Sequence, residues 1–343
     1  MNSFLYQTSE ELISSICKND SLSYVVFAGI SMVHELAGKF GDNVILCSTS
    51  GEFTPKGFQD SAITGFSYDP DSVDVVELLY PPAKGLRALQ KAYAKVKHNP
   101  NAFALLLCDG LSAMEESIIT TFFFTEPDFK IIGGSAGDNL KFEATAIYIG
   151  SKKVHSAALF FNSRTRTQLI KENLFEPCGK KMLVTDADPI KRTVKTFNNK
   201  PASTEYARML DVSESQLDKS FMSNPLGKSS ENDIFIASPM KINSDKSITF
   251  YAQIIPNTFV DILELQDHRS IIQNTLNAVQ FRPNFVLSIN CILRSLYFIE
   301  NSLWRDVDAE LLSICKNQTG FISYGEQYYK NHFNQTMVLL VVE

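Results

Sequence analysis

The sequence lacks most of the patterns that announce a known chemistry. Its six cysteines (17, 47, 108, 178, 291 and 315) form no CxxC or CxxH spacing, and its five histidines are scattered, so there is no zinc pattern. Isolated thiols of this kind read as reduced and mostly buried, as in a cytoplasmic protein. No apolar run reaches the length of a membrane span, and Met1-Asn2-Ser3-Phe4-Leu5 has no basic stretch leading into an apolar one. The closing Val338–Val342 run is only strand length. A net charge of −6 and a pI near 5.5 argue against nucleic acid, and the sparse basic stretch from Lys191 to Lys200 does not reverse that. Catalytic patterns are missing too: Ser50 and Ser135 stand in no G-x-S-x-G elbow, and no histidine lies near Cys47 or Cys291 in sequence. Both cysteines read as small buried apolar side chains, no catalytic residue is expected, and the chain is read as a cytoplasmic non-enzyme.

What is present is organised around Lys130-Ile131-Ile132-Gly133-Gly134-Ser135-Ala136-Gly137-Asp138-Asn139. Two β-branched residues drive a buried strand, and three glycines in the next five positions break it. Without Cβ atoms, backbone N–H groups can approach a neighbour or ligand closely, with Ser135 and Asp138 as donor and acceptor. A second polar loop, Cys47-Ser48-Thr49-Ser50-Gly51-Glu52, follows the strand at Val44–Leu46. Both loops stand at the carboxyl end of a strand, where open α/β sheets bind ligands.

Apolar periodicity predicts a mixed α/β fold. Thr8-Ser9-Glu10-Glu11 offers a capping box for a first helix, and Ser112-Ala113-Met114-Glu115 is read as the cap of another. Glu176-Pro177-Cys178-Gly179 reads as a turn, and Phe122-Phe123-Phe124 as core. From residue 61 the order strand-strand-helix-strand-helix-strand-strand appears twice, predicting two pseudo-repeated lobes with mixed sheets covered by helices and a boundary near residue 200. Registering the copies sets the Gly133–Asp138 loop opposite Ser323–Glu326 and Cys108-Asp109-Gly110 opposite Asn290-Cys291-Ile292-Leu293-Arg294. Equivalent strand ends are then expected to face one cleft.

Taken together, Cys47–Glu52, Asp109-Gly110-Leu111-Ser112, Gly133–Asp138, Asn199-Lys200-Pro201-Ala202 with Tyr206, Cys291–Arg294, Gly320–Glu326 and Asn334-Gln335-Thr336 resemble the FIST sensory family along essentially the whole chain. The resemblance implies an N-terminal FIST domain over residues 1–200, a C-terminal FIST domain over 201–343, and a cytoplasmic sensor of small molecules such as amino acids. It implies signalling partners: a histidine kinase, a cyclic-di-nucleotide enzyme or a chemotaxis receptor. With no output domain recognised in the chain, the signal is expected to pass by protein contact. One branch of the family is similar but binds haem and senses nitric oxide. No cofactor is predicted from the residues themselves, and a haem-binding nitric-oxide sensor is the alternative reading.

The ligand-binding residues expected are Ser48, Thr49, Ser50, Glu52, Gly134, Ser135, Asp138, Cys291, Arg294, Tyr324 and Glu326. Arg294 leads, because a planar guanidinium just past a buried strand suits a ligand carboxylate, while Glu326, Asp138 and Ser135 suit an ammonium group. The competing reading is a structural Arg294–Glu326 ion pair tying two strand ends together.

Overall fold

The computed structural model describes residues 1–230 and 233–343. It is the mixed α/β fold anticipated, and it divides into two compact units, Met1–Glu172 with Ile272–Asn331 and Met337–Glu343, and Asn173–Ile271 with His332–Thr336.

The larger unit repeats one sheet three times. In the first copy, Asn2–Tyr6, Ile63–Tyr68, Ser23–Gly29 and Val44–Thr49 lie side by side in that order; in the second, Val73–Leu78, Ser156–Phe161, Phe103–Cys108 and Ile131–Ser135 do the same. The third uses Thr167–Asn173, Thr336–Val342, Phe285–Cys291 and Gln318–Ser323. In every copy the last two strands run parallel, joined through helices, and the others antiparallel where the register is defined. The copy read from residue 61 is therefore the second of three, and another occupies residues 2–68. The C-terminal copy keeps its parallel strands but opens with Thr167–Asn173, because Ile248–Phe250 and Phe259–Leu265, read as its first strands, pair in the sheet of the smaller unit.

The copies also exchange strands in a cycle. Glu52–Thr54, which follows the first copy, pairs with the third sheet; Ile147–Ile149, from the second, pairs with the first sheet; Glu326–Tyr328, from the third, pairs with the second. The strands explain their own burial. Phe103-Ala-Leu-Leu-Leu-Cys108 and Phe285-Val-Leu-Ser-Ile-Asn-Cys291 are nearly unbroken apolar runs, as central strands covered on both faces require. The sheets meet in an aromatic core. Phe27 stacks on Phe321 at 4.6 Å, Phe66 lies 5.2 Å from Phe285 and 6.2 Å from Phe161, and Phe161 stacks on Phe103 at 4.7 Å. Each such ring contributes about 1.5–3 kcal/mol by leaving water.

The predicted capping box at Thr8 and Glu11 is present, opening helix Ser9–Cys17. Ser112 does not cap the next helix. Helix Glu115–Phe123 begins after Met114 without a side-chain cap, because the Ser112 oxygen accepts instead from the Met114 N–H at 3.3 Å and the Tyr80 hydroxyl at 2.8 Å, ahead of the helix's own N–H groups. Of the Phe122–Phe124 run only Phe122 is core. Phe123 and Phe124 are 46% and 68% exposed, since the helix ends there and its last turn faces outward.

In the smaller unit, the long strand Phe175–Asp188 pairs with Phe259–Leu265 on one side and Thr193–Phe197 on the other. Residues 176–179 are therefore not a turn. They lie within a strand whose register shifts between Pro177 and Lys181, and Gly179 takes the bulge at φ +80°. Helix Ala202–Leu210 covers this sheet with the fully buried Tyr206, packed among Phe197, Phe250 and Val260. Among the described residues no helix is long and apolar enough to cross a membrane.

Candidate functional site

The cyclic exchange brings three turns to one place. Each parallel pair ends in the same four-residue pattern, a hydroxyl residue, any residue, glycine and an acid: Thr49-Ser50-Gly51-Glu52, Ser135-Ala136-Gly137-Asp138 and Ser323-Tyr324-Gly325-Glu326. Backbone hydrogen bonds tie every pair of turns. Ser50 N–H donates to the Ile322 carbonyl (3.0 Å) and Ile322 N–H to Gly51 (2.8 Å); Tyr324 N–H donates to Ser135 (3.0 Å) and Ser135 N–H to Gly325 (2.9 Å); Gly137 N–H donates to Ser48 (3.0 Å). The result is a closed ring at the carboxyl ends of the parallel strands. Glycine is needed for the approach: a Cβ on Gly110 would stand 2.1 Å from the Ala136 carbonyl oxygen, and one on Gly134 would stand 2.7 Å from both Ile289 and Phe321.

Two copies of the turn close on themselves. The Thr49 hydroxyl donates to Glu52 at 2.6 Å and the Ser323 hydroxyl to Glu326 at 2.7 Å. Glu52 also accepts from the Ala62 N–H at 3.0 Å. Its burial nevertheless raises its pKa to about 7, because desolvation disfavours the charge more than the hydrogen bonds favour it.

The middle copy differs. Glu52 and Glu326 begin the exchanged strands directly, whereas eight residues separate Asp138 from Ile147, where its exchanged strand begins. Asp138 holds this extra loop. Its carboxylate accepts from the N–H groups of Phe142 (3.0 Å), Glu143 (2.8 Å) and Ala144 (2.9 Å), and from the Tyr324 hydroxyl. Burial opposes ionisation there, but the Tyr324 hydroxyl and the three N–H groups outweigh it and hold the carboxyl below the usual aspartate range. The loop carries Asn139, Leu140 and Phe142 in the left-handed region, at φ 58°, 60° and 53°. It lies on the other two turns: Asn139 N–H donates to the Ser50 hydroxyl (3.0 Å), Leu140 N–H to the Tyr324 oxygen (2.7 Å), and the Phe142 ring stacks on Tyr324 at 5.1 Å. With Asp138 so engaged, the Ser135 hydroxyl donates instead to Glu115, at 2.9 Å, and accepts from Gln327 at 3.1 Å.

The fold thus gathers Ser48, Thr49, Ser50, Glu52, Gly134, Ser135, Asp138, Tyr324 and Glu326 at one ring, every one of them buried. Cys291, fully buried, ends the parallel strand beside Ser323. Arg294 stands in the first turn of helix Ile292–Glu300, and its partner is not Glu326. The guanidinium donates to Glu172 and, at 2.5 Å, to Asn290, and lies 4.4 Å over the Phe298 ring. Glu172 is the penultimate residue of the first strand of the third copy, a pairing across 122 residues that no local spacing foretells. Glu115, Gln327 and Glu172 were not anticipated from sequence. The first copy of the turn was legible, since Thr49-Ser50-Gly51-Glu52 has the same pattern as the other two.

None of the five histidines lies in the three turns or the 139–145 loop; His34, His98 and His155 are exposed, His155 stacks on Tyr80 at 4.6 Å, and the buried His332 stands on strand Asn331–Phe333, which pairs with Glu326–Tyr328. Among the described residues no cluster of three or more His, Cys, Asp or Glu is arranged to hold a metal ion.

A comparison with curated proteins finds no match. The FIST N domain model matches residues 23–200 and the FIST C domain model residues 202–329, together nearly the whole chain. Domains of this kind are associated with sensory signal transduction and bind ligands rather than catalyse reactions. The chain belongs to the FIST family.

Proposed function

We propose that the chain senses a small amine-bearing, amino-acid-like molecule at the ring of turns, and passes the event to a separate signalling protein such as a histidine kinase, a cyclic-di-nucleotide enzyme or a chemotaxis receptor. The concentration of carboxyl groups carries this reading. Glu52, Glu115, Asp138 and Glu326 are buried in and beside the ring, and an ammonium group is the ligand function that donates to such a set. Arg294 keeps its Nε–H without a protein acceptor, leaving one donor for the ligand's carboxylate. Access runs past the 139–145 loop, which rests on Ser50 and Tyr324 and whose Phe142, Glu143 and Ala144 N–H groups are held by Asp138. Binding that reorders this loop biases the protein between two states, which a partner reads.

A thermal-shift screen of the twenty amino acids tests the proposal. At least one is expected to raise Tm in the parent protein and to lose most of that effect in Glu326→Gln. If none does so, the ligand class is wrong. A Soret band formed with added haemin and shifted by nitric oxide replaces the amino-acid reading with the gas-sensor one.

A further inference from the structure

We propose that strand Val73–Leu78 and helix Leu86–Val96 form a docking groove for an extended segment of the partner protein, which joins the second sheet as a further strand. The proposal rests on the sensor reading only in making the occupant a signalling partner; its geometry stands without a ligand.

The first strands of the three copies are equivalent sheet edges, and two of them are capped from within the chain. Ser3 N–H donates to the Asn317 side chain at 2.7 Å. The carbonyls of Thr167 and Leu169 accept from Lys130 (3.0 Å) and the Tyr328 hydroxyl (3.4 Å). The edge of the second copy has no such cover. Asn162 N–H donates to the Ser72 carbonyl, so the antiparallel register makes Asp74, Val76 and Leu78 the residues bonded to Ser156–Phe161, and turns the N–H and C=O groups of Val75 and Glu77 outward. Among the described residues nothing pairs with them. An open row of donors and acceptors at strand spacing is complementary to one thing, another extended backbone.

Beside this edge lies a groove of about 380 Å³ between strand and helix. Val75 and Leu79, 37% and 42% exposed, contribute to its lining from the strand side and Ala88 and Ala92 from the helix, leaving room for small apolar side chains of an added strand. Charge selects the occupant further. Asp74 and Glu77 are already bridged by Lys95 and Lys152, whereas Lys91 on the groove wall has no ion-pair partner among the described residues. The added strand is therefore one with an acidic residue facing Lys91. A second copy of this chain would present the same edge with both carboxylates engaged, leaving Lys91 unmatched.

The test uses the full chain as bait for a phage-displayed library of random dodecapeptides. Enriched peptides should alternate apolar and polar residues around an acid. By fluorescence anisotropy, their affinity should fall at least tenfold in Val75→Pro, which removes an outward N–H, and severalfold in Lys91→Glu. Ala88→Arg fills the groove from the helix side and should also abolish binding, which keeps the test decisive if the proline variant folds poorly. No enrichment, or equal affinity for all variants, overturns the proposal. So does sedimentation showing a dimer that Val75→Pro converts to monomer, because the edge then serves self-pairing.

Discussion

The Tyr324 hydroxyl donates to the Asp138 carboxylate across 186 residues of sequence, joining the turn of the third copy to that of the second. The same carboxylate nucleates the 139–145 loop through three N–H groups, so one side chain couples the ring to its cover. Asp138→Asn replaces one acceptor oxygen by a donor and removes the charge. Amide exchange at residues 140–146 should then rise roughly tenfold or more, with the central strand Phe103–Cys108 unaffected. Equal exchange in parent and variant would show that the loop is held by other contacts.

Because the Asp138 pKa is depressed in the folded state, its contribution is complete above the ordinary aspartate range and is lost as pH falls through the lower folded value. Loop exchange in the parent, corrected for its intrinsic pH dependence, should therefore hold steady from neutral pH down to about 4 and accelerate below.

Glu52 works in the opposite direction. With its folded pKa near 7 against an ordinary 4.5, the folded state holds a proton that the unfolded chain has released, so stability declines as pH rises from about 4.5 to about 7 and is flat above. Asp308, raised to about 6 by burial against an ordinary 3.8, adds to the same trend. Urea midpoints across pH 4.5–8 should show the decline in the parent protein and a clearly shallower one in Glu52→Gln. An unchanged profile would mean that Glu52 stays ionised.

The Arg294–Glu172 pair is buried on both sides, so removing one partner deprives the other of this buried counter-charge. Arg294→Met should cost about 3–5 kcal/mol, and the double variant with Glu172→Leu should recover much of it. Additive losses in the double-mutant cycle would contradict the pairing.

Much of the fold was legible because its strands are simple: buried apolar runs that end at glycine and hydroxyl residues. The two loops singled out, at 47–52 and 133–138, do meet, with the 323–326 turn between them. What sequence could not supply was long-range pairing. Which strand a turn feeds is decided by exchange between copies, so Glu52 leads into the third sheet and Glu326 into the second. The partner of Arg294 was missed for the same reason: Glu172 reaches it only once the third sheet is assembled. Phe123 and Phe124 misled because an apolar run cannot announce that its helix stops and leaves them exposed.

The most direct test of the ring as the sensing site is hydrogen–deuterium exchange with and without the amino acid that gives the largest thermal shift. Protection should appear together at residues 48–52, 135–146 and 322–327, three segments far apart in sequence and joined only at the ring. Protection confined to residues 173–271, or to a single one of the three turns, would contradict it.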